Sequence, residues 1–324
     1  MSNNTVTSRK DVLLEQLVLV DGQPACGKAA LDPAIASMDR VELLKLSPVI
    51  ENICGLRYLD KLDDDSAETL IKIEMDLVLY ETMMGRNINF RITDQSSAFK
   101  DTNFIVYLKR LFQPGDKIIP TKIKEKKPIL HFMTHAMLGV GQPLFRILGD
   151  KLSIIELVRH PKSMLHQQTA YNEWWLTNEG KKRQFQLFIK YNDEEIPFWA
   201  NGWEELYIKS NPVDRAIYEM SHHFKITDKF KNEFKNVYES QCITVPFEKY
   251  VVNPWPYLTK IEALLKTKVI TKTRKVLKKE GVPRKKPTIN DMEINKLLKS
   301  KEASKNALKE LERISSEYEK RYID

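Results

Sequence analysis

Apolar residues fall into short continuous runs separated by stretches of helical spacing. "LVLV" (Leu17 to Val20), "PILHFMTH" from Pro128 and "LSIIELV" from Leu152 have the length and unbroken apolarity of central parallel strands. "QCITVPFEKYV" predicts a last strand and turn. In "DDDSAETLIKIEMDLVLYETMMG", Asp65 with Glu68 resembles a capping box. Leu70, Ile73, Leu77, Tyr80 and Met84 then keep the spacing of one helical face. "NINFRI" predicts a short strand, "AFKDTNFIVYLKRLF" a helix, and "PLFRILGD" a short helix ending at Gly149. "RQFQLFIKYNDEEIPFWA" reads as a hairpin turning at Asn192 to Glu194, and a long helix follows from about Pro212 to Ser240. From about Pro287 the pattern is a polar amphipathic helix, with Ile294, Leu297, Leu298, Leu308, Leu311 and Tyr318 on one side. Strands alternating with helices predict a mostly parallel sheet covered on both faces, with ligands beyond the carboxyl ends of its strands.

Composition narrows this little. The 324 residues are 42% hydrophobic and 30% charged, ordinary for a globular chain. No apolar run reaches the roughly 18 residues of a membrane span, and "MSNNTVTSRKD" is polar. The expectation is a cytoplasmic protein without transmembrane segment or signal peptide. Cys26, Cys54 and Cys242 are scattered without metal-ligand spacing, which suits a reducing compartment and predicts no metal site. The net charge of +8 is concentrated: residues 266 to 286, "KTKVITKTRKVLKKEGVPRKK", hold ten Lys and Arg against one Glu. So narrow a patch argues against a general nucleic-acid binder. It is either a solvated basic helix or a surface for a phosphate-rich cofactor, an anionic glycan or a membrane.

The stretch "LVLVDGQPACGKAAL" carries the clearest chemistry. Gly22, Gly27 and Lys28 follow an apolar strand and precede small residues that can open a helix, the spacing of a phosphate-binding loop. Gly22, Gln23, Pro24, Ala25, Cys26, Gly27, Lys28, Ala29 and Ala30 are therefore candidate anion-binding residues, through inward amides and the Lys28 charge. The position after the lysine is Ala29, where magnesium-dependent phosphoryl transfer uses a hydroxyl. The candidate strands end in "THA" and "LVRHP" without an aspartate, and Glu156 lies within a strand, where a structural role is at least as good a reading. Sulfuryl transfer moves a less charged group, which lysines, arginines and backbone dipoles can stabilise without a metal.

A second stretch, "LSIIELVRHPKSMLHQQ", resembles the signature of sulfotransferases that use 3′-phosphoadenosine 5′-phosphosulfate (PAPS). The resemblance implies a P-loop NTPase-like three-layer α/β/α fold with a C-terminal helical extension. It covers Leu17 to about Lys286 patchily. It also implies that Arg159, with Ser163 or Gln167, binds the 3′-phosphate, Gln167 standing where the family has serine. The loop is less similar: Pro24 and Gly27 are in register, but the family's basic position is Ala25, so Lys28 would supply the charge. "VPFEKYVVNPWPYLTKIEALL" is similar to the family's late strand and helix, and Arg284 and Lys285 in "GVPRKK" are placed like its basic segment over the nucleotide. The expected layout is a flexible N-terminus over 1–12, a domain over 13–286 with a hairpin insertion near 183–200, and the amphipathic helix over 287–324, a candidate for self-association.

Lys28 and His135 are the candidate catalytic residues. A sulfuryl acceptor must lose a proton, and His135 lies nearer the carboxyl end of its strand than His131. Arg86, Arg91 and Asp94 are candidates for acceptor binding, and Trp174, Trp175, Trp199 and Trp203 either stack on a sugar ring or pack in the core. His222 and His223 read as surface or packing residues. The expected function is sulfuryl transfer from PAPS to a hydroxyl acceptor, a carbohydrate being one candidate the resemblance implies. The alternatives are a small-molecule kinase using ATP with magnesium and a nucleotide-binding protein without catalysis.

Overall fold

The computed structural model describes residues 5–10, 12–94, 96–175 and 177–323. Part of the N-terminal stretch expected to be flexible, residues 1–4 and 11, lies outside the described residues. Within that stretch Arg9 pairs with Asp76 at 2.6 Å.

Five parallel strands form the central sheet in the order β2-β3-β1-β4-β7, with β1 Gln16–Asp21, β2 Lys45–Leu46, β3 Ile129–Met133, β4 Leu152–Val158 and β7 Cys242–Pro246. Alternate β1 side chains serve opposite faces. Val18 and Val20 join one apolar core, Leu17 and Leu19 the other. Both cores are covered by helices, so the chain is a three-layer α/β/α fold. The predicted hairpin is β5 Phe188–Tyr191 and β6 Glu194–Pro197. Its turn residues Asn192 and Asp193 both have positive φ, as a two-residue hairpin turn requires.

Five local expectations need correction. The helix expected from about Pro212 to Ser240 is two, Pro212–Glu233 and Lys235–Gln241, parted at Phe234. The "NINFRI" segment is no strand among the described residues: Asn89 turns its side chain onto the Arg91 amide, and Asn87 holds Lys45 and Thr82. Such local bonds compete with a ladder. The Asp64–Met84 helix is capped by Asp63, which accepts from Ser66 N at 2.8 Å, rather than by a box from Asp65 to Glu68. Its buried face is Ala67, Ile71, Met75, Leu79 and Met83, while Leu70, Ile73 and Leu77 point outward. The helix is apolar on two sides, and the neighbouring layer selects the less obvious one. Finally, the C-terminal tail is two helices, Asp291–Ser300 and Lys305–Tyr322. Leu298, Leu311 and Tyr318 are buried in the chain's own structure, which removes that stripe from the pairing surface expected of it.

One polar element is built into this interior. In the Phe104–Arg110 helix Arg110 points inward and meets Glu42 through two bonds of 2.7 and 2.8 Å, with a third to Thr82 O. Both side chains are buried. Removing one partner strands the other charge, so Arg110→Met is expected to cost about 3–5 kcal/mol of unfolding free energy. Adding Glu42→Gln should restore most of it. Urea titrations of the two variants check this, and equal losses in single and double variants would refute it.

Candidate functional site

Beyond the carboxyl end of β1 the chain turns at Gly22, whose φ is +148°; a Cβ there would lie 2.3 Å from Leu157 O. Gly27, at φ +99°, packs so closely on Phe247 that a Cβ would lie 2.4 Å from the ring. Between them Ala25 also takes a left-handed φ of +68°. Left- and right-handed residues in succession turn amides to one side, the geometry of an anion nest. Among the described residues no backbone carbonyl accepts from the amides of Ala25, Gly27, Lys28 or Ala29, and the Lys28 amide points toward the Cys26 thiol. The helix expected behind the loop is short, a 3₁₀ turn Lys28–Ala30 followed by Asp32–Ala36, so those amides rather than a long helix dipole make the cradle.

The loop's carbonyls are held by cations and amides. Lys28 Nζ is buried and donates to Gly22 O at 2.6 Å and Gln23 O at 3.2 Å; its third direction meets only Cys26 Sγ, a weak acceptor 3.9 Å away. Arg159 Nη1 donates to Ala25 O at 3.0 Å, and Gln168 Nε2 to Pro24 O at 2.7 Å. Burial raises the Cys26 thiol above its ordinary value, so it stays protonated beside the lysine. Arg159 lies over the Phe247 ring at 4.6 Å and Arg284 over the same ring at 5.6 Å. Arg159 Nε is buried with no partner among the described residues. A cavity of about 210 Å³ opens beside it, lined by Arg159, Lys162, Ser163, His166, Thr288 and Asn290. Gln167 is exposed and bonds Tyr171 instead; its neighbour Gln168 reaches the loop. Ala29, Arg284 and Lys285 are exposed.

On the other side of Pro24 lies a cleft of about 260 Å³. Its walls include Trp174, Trp175, Trp199, Phe185, Arg183 and His135. Both the His135 amide and Nδ1 meet Glu51 Oε1, at 3.0 and 3.3 Å. That bond places the Nδ1 proton toward Glu51 and leaves Nε2 as the free acceptor. Trp203 stands behind the cleft, stacked on Trp199 at 5.8 Å. Arg86 and Arg91 are exposed and pair with Asp116 and Asp94, away from the residues lining the cleft. Glu156 is held by Lys231, Tyr238 and Thr244, a structural network. His131 is buried against Asp32 at 3.2 Å.

The cleft also contains residues the sequence reading passed over. His223, expected at the surface or in packing, is buried and lines it together with Glu219. Glu219 Oε2 accepts from Asn172 at 2.9 Å, and His223 Nε2 stands 3.9 Å from Oε1. Burial raises the Glu219 carboxyl to about 7 and lowers His223 to about 3. Only the spacing of four on one helix hinted at this pair.

No protein-family model and no curated protein matches the chain. Solved structures do align with it. The sulfotransferase domain from the curacin biosynthetic pathway is 12% identical with a TM-score of 0.48, covering 94% of this chain and 97% of that one. Sulfotransferase STF9 from Mycobacterium avium is 12% identical with a TM-score of 0.47, covering 96% and 78%. The sulfotransferase domain from the Synechococcus PCC 7002 olefin synthase is 13% identical with a TM-score of 0.39, covering 81% and 77%.

Glu219 gives a pH test of the cleft's burial. The folded carboxyl titrates near 7 and the unfolded one near 4.5, so the folded state holds the extra proton between them. Its contribution to stability is complete below the lower value and is lost as pH rises through the upper one. The unfolding free energy of the parent minus that of Glu219→Gln should therefore fall by about 3 kcal/mol between about pH 4 and pH 8. Denaturant titrations across that range read it, and a difference independent of pH would refute the buried neutral carboxyl.

Proposed function

We propose that the chain is a sulfuryl transferase that takes PAPS as donor and a hydroxyl compound as acceptor. The observation that carries this reading is the β1 loop: free amides and a buried lysine form an anion cradle whose next position, Ala29, has no hydroxyl for a metal. Of the nearby acids, Asp21 is engaged by three donors, and Asp32 is buried with its Oδ1 bonded to His131 and its Oδ2 without a partner among the described residues. Arg159 also lines a second cavity, together with Lys162, Ser163 and His166, and its buried Nε has no partner among the described residues. Two anion-receptive sites flanking one loop fit a nucleotide phosphorylated at both its 5′ and 3′ positions.

In this reading the amides of Ala25, Gly27, Lys28 and Ala29 hold the 5′ oxyanions, and Arg159 with Ser163 holds the 3′-phosphate while Arg284 approaches from above the Phe247 ring. PAPS, when bound, supplies an activated sulfuryl group. Lys28 exchanges its weak contact with Cys26 for the oxygen on which charge grows, an interaction worth most at the transition state. His135 Nε2 accepts the acceptor's proton, and Glu51 stabilises the imidazolium that results. Trp174, Trp175 and Trp199 form the acceptor's apolar wall and keep water from the reacting centre.

Two results test the assignment. Adenosine 3′,5′-bisphosphate should raise the melting temperature equally in magnesium and in chelator, and at about one hundred times its Kd should add about 2.7 kcal/mol of stability. A strict magnesium requirement would favour an ATP-dependent kinase instead. Lys28→Ala should lower sulfate transfer to a panel of hydroxyl acceptors by about a hundredfold or more while weakening nucleotide binding far less. Parallel transfer and binding assays separate the two effects. Equal losses in both would make Lys28 a loop support, and a parent without transfer to any acceptor would leave a binding protein.

A further inference from the structure

The Phe104–Arg110 helix is inside out. Its buried residues are Tyr107 and the ion-paired Arg110, whereas Ile105, Val106 and Leu108 are exposed, followed by exposed Leu111 and Phe112. Phe112 is 83% exposed and Phe99, just before the helix, 49%. Single exposed apolar residues need no explanation, but a contiguous set around an inward-facing charge does.

Beside it lies the basic run noted in the sequence. The Thr271–Lys279 helix buries Thr273, Val276 and Leu277 and exposes Lys272, Arg274, Lys275, Lys278 and Lys279. Lys272 Nζ donates to Asn103 Oδ1 at 2.9 Å, which joins the first turns of the two helices. Val276 and the segment Lys100 to Thr102 also share the walls of one small cavity. An apolar ridge and a cationic ridge thus adjoin where the two helices begin. Only the far end of the basic run, at Arg284 and Lys285, was assigned to the nucleotide.

We propose that this composite face docks the protein on an anionic lipid surface, lying along it without crossing it. The exposed aliphatic and phenylalanine side chains enter the boundary between headgroups and acyl chains, and the lysines meet lipid phosphates and carboxylates. Eight of the ten cations in residues 266 to 286 are lysines, long flexible chains that reach a headgroup layer while their stems lie on apolar surface. A nucleic-acid duplex would engage the cations but leave the exposed Ile105, Val106, Leu108 and Leu111 beside them unburied, because its affinity comes from phosphate contacts. A second copy meeting this face symmetrically would oppose two strongly basic patches. No helix among the described residues is long and apolar enough to cross the bilayer, so attachment is peripheral.

Co-sedimentation with vesicles tests the proposal, using phosphatidylcholine alone and an equal mixture of phosphatidylcholine and phosphatidylserine. The full chain should partition onto the mixed vesicles and leave them as salt is raised. The triple variant Lys275→Gln, Lys278→Gln, Lys279→Gln should bind them roughly a hundredfold more weakly, about fivefold for each charge. Ile105→Ser with Phe112→Ser should lose about tenfold or more while keeping the salt dependence. All five positions are exposed, so an unchanged melting temperature verifies the fold of each variant. Equal binding to both vesicle types, or no binding at low salt, would overturn the proposal. So would a Ser variant that binds as the parent does. Tight capture of a DNA duplex, lost in the lysine variant and indifferent to the serines, would assign the face to nucleic acid instead.

Discussion

The carboxylate of Asp21 joins the two halves of the site. It ends β1 and is buried, and it accepts from Thr134 Oγ1 at 2.8 Å and from the Met137 and Leu138 amides at 2.9 Å each. Two backbone bonds flank it, Thr134 N to Val20 O and Ala136 N to Gly22 O. The loop after β1 carries the anion cradle and the loop after β3 carries His135. Because β1 lies between β3 and β4 in a parallel sheet, both loops emerge on the same edge, where the strand order changes direction. The sheet brings them near each other, and Asp21 fixes their separation. A carboxylate receiving three donors in a buried place is a rigid joint, since moving either loop would leave a charge unsatisfied.

That joint also explains how the phosphate loop tolerates its own conformation. Ala25 has a backbone torsion that costs an L-residue about 1–3 kcal/mol. Four successive carbonyls, from Gly22 to Ala25, each accept from a side chain of Lys28, Gln168 or Arg159. Turning the carbonyls toward these donors leaves the amides facing the other way. Arg159 and Gln168 therefore act before any ligand arrives, by holding the Ala25 and Pro24 carbonyls in the shape that an anion requires. A preorganised cradle loses little on binding, which is why a loop without a long helix behind it can still be an anion site.

How far this could be read from residues alone depended on whether the signal was local. The strands β1, β3, β4 and β7 were legible because continuous apolar runs have few other places to go. The hairpin was legible because Asn192 and Asp193 supply the two left-handed residues of its turn. The loop was legible from glycine spacing. Helix faces were harder. The Asp64–Met84 helix is apolar at both the Leu70 and the Ile71 registers, and only the packed layer decides between them. Glu219 drew no reading from the sequence, and His223 was left open between surface and packing. Their burial comes from Asn172 and Trp199, distant in sequence, which no periodicity within one helix can reveal. The shift from Gln167 to Gln168 is of the same kind: adjacent residues on a helix point about a hundred degrees apart, and the loop meets only one of them.

The end of the chain is coupled to the same site. Glu248, just after β7, accepts from the His160 amide at 3.1 Å and from the Tyr318 hydroxyl, and His160 Nε2 meets Glu319 at 3.1 Å. His160 follows Arg159 directly. The backbone around Arg159 is therefore held by the Lys305–Tyr322 helix, whose Tyr318 also reaches Val158 O at 3.5 Å across a sequence separation of 160 residues. Burial and the Glu248 charge push the Tyr318 phenol up, so it remains a donor at neutral pH and the contact does not switch off. The Asp291–Ser300 helix meanwhile contributes Glu293, Ile294 and Leu297 to the wall of the cavity beside Arg159. An extension that read in sequence as an appendage thus forms one wall of the cavity beside Arg159, so the shape of that cavity depends on how the last helices pack.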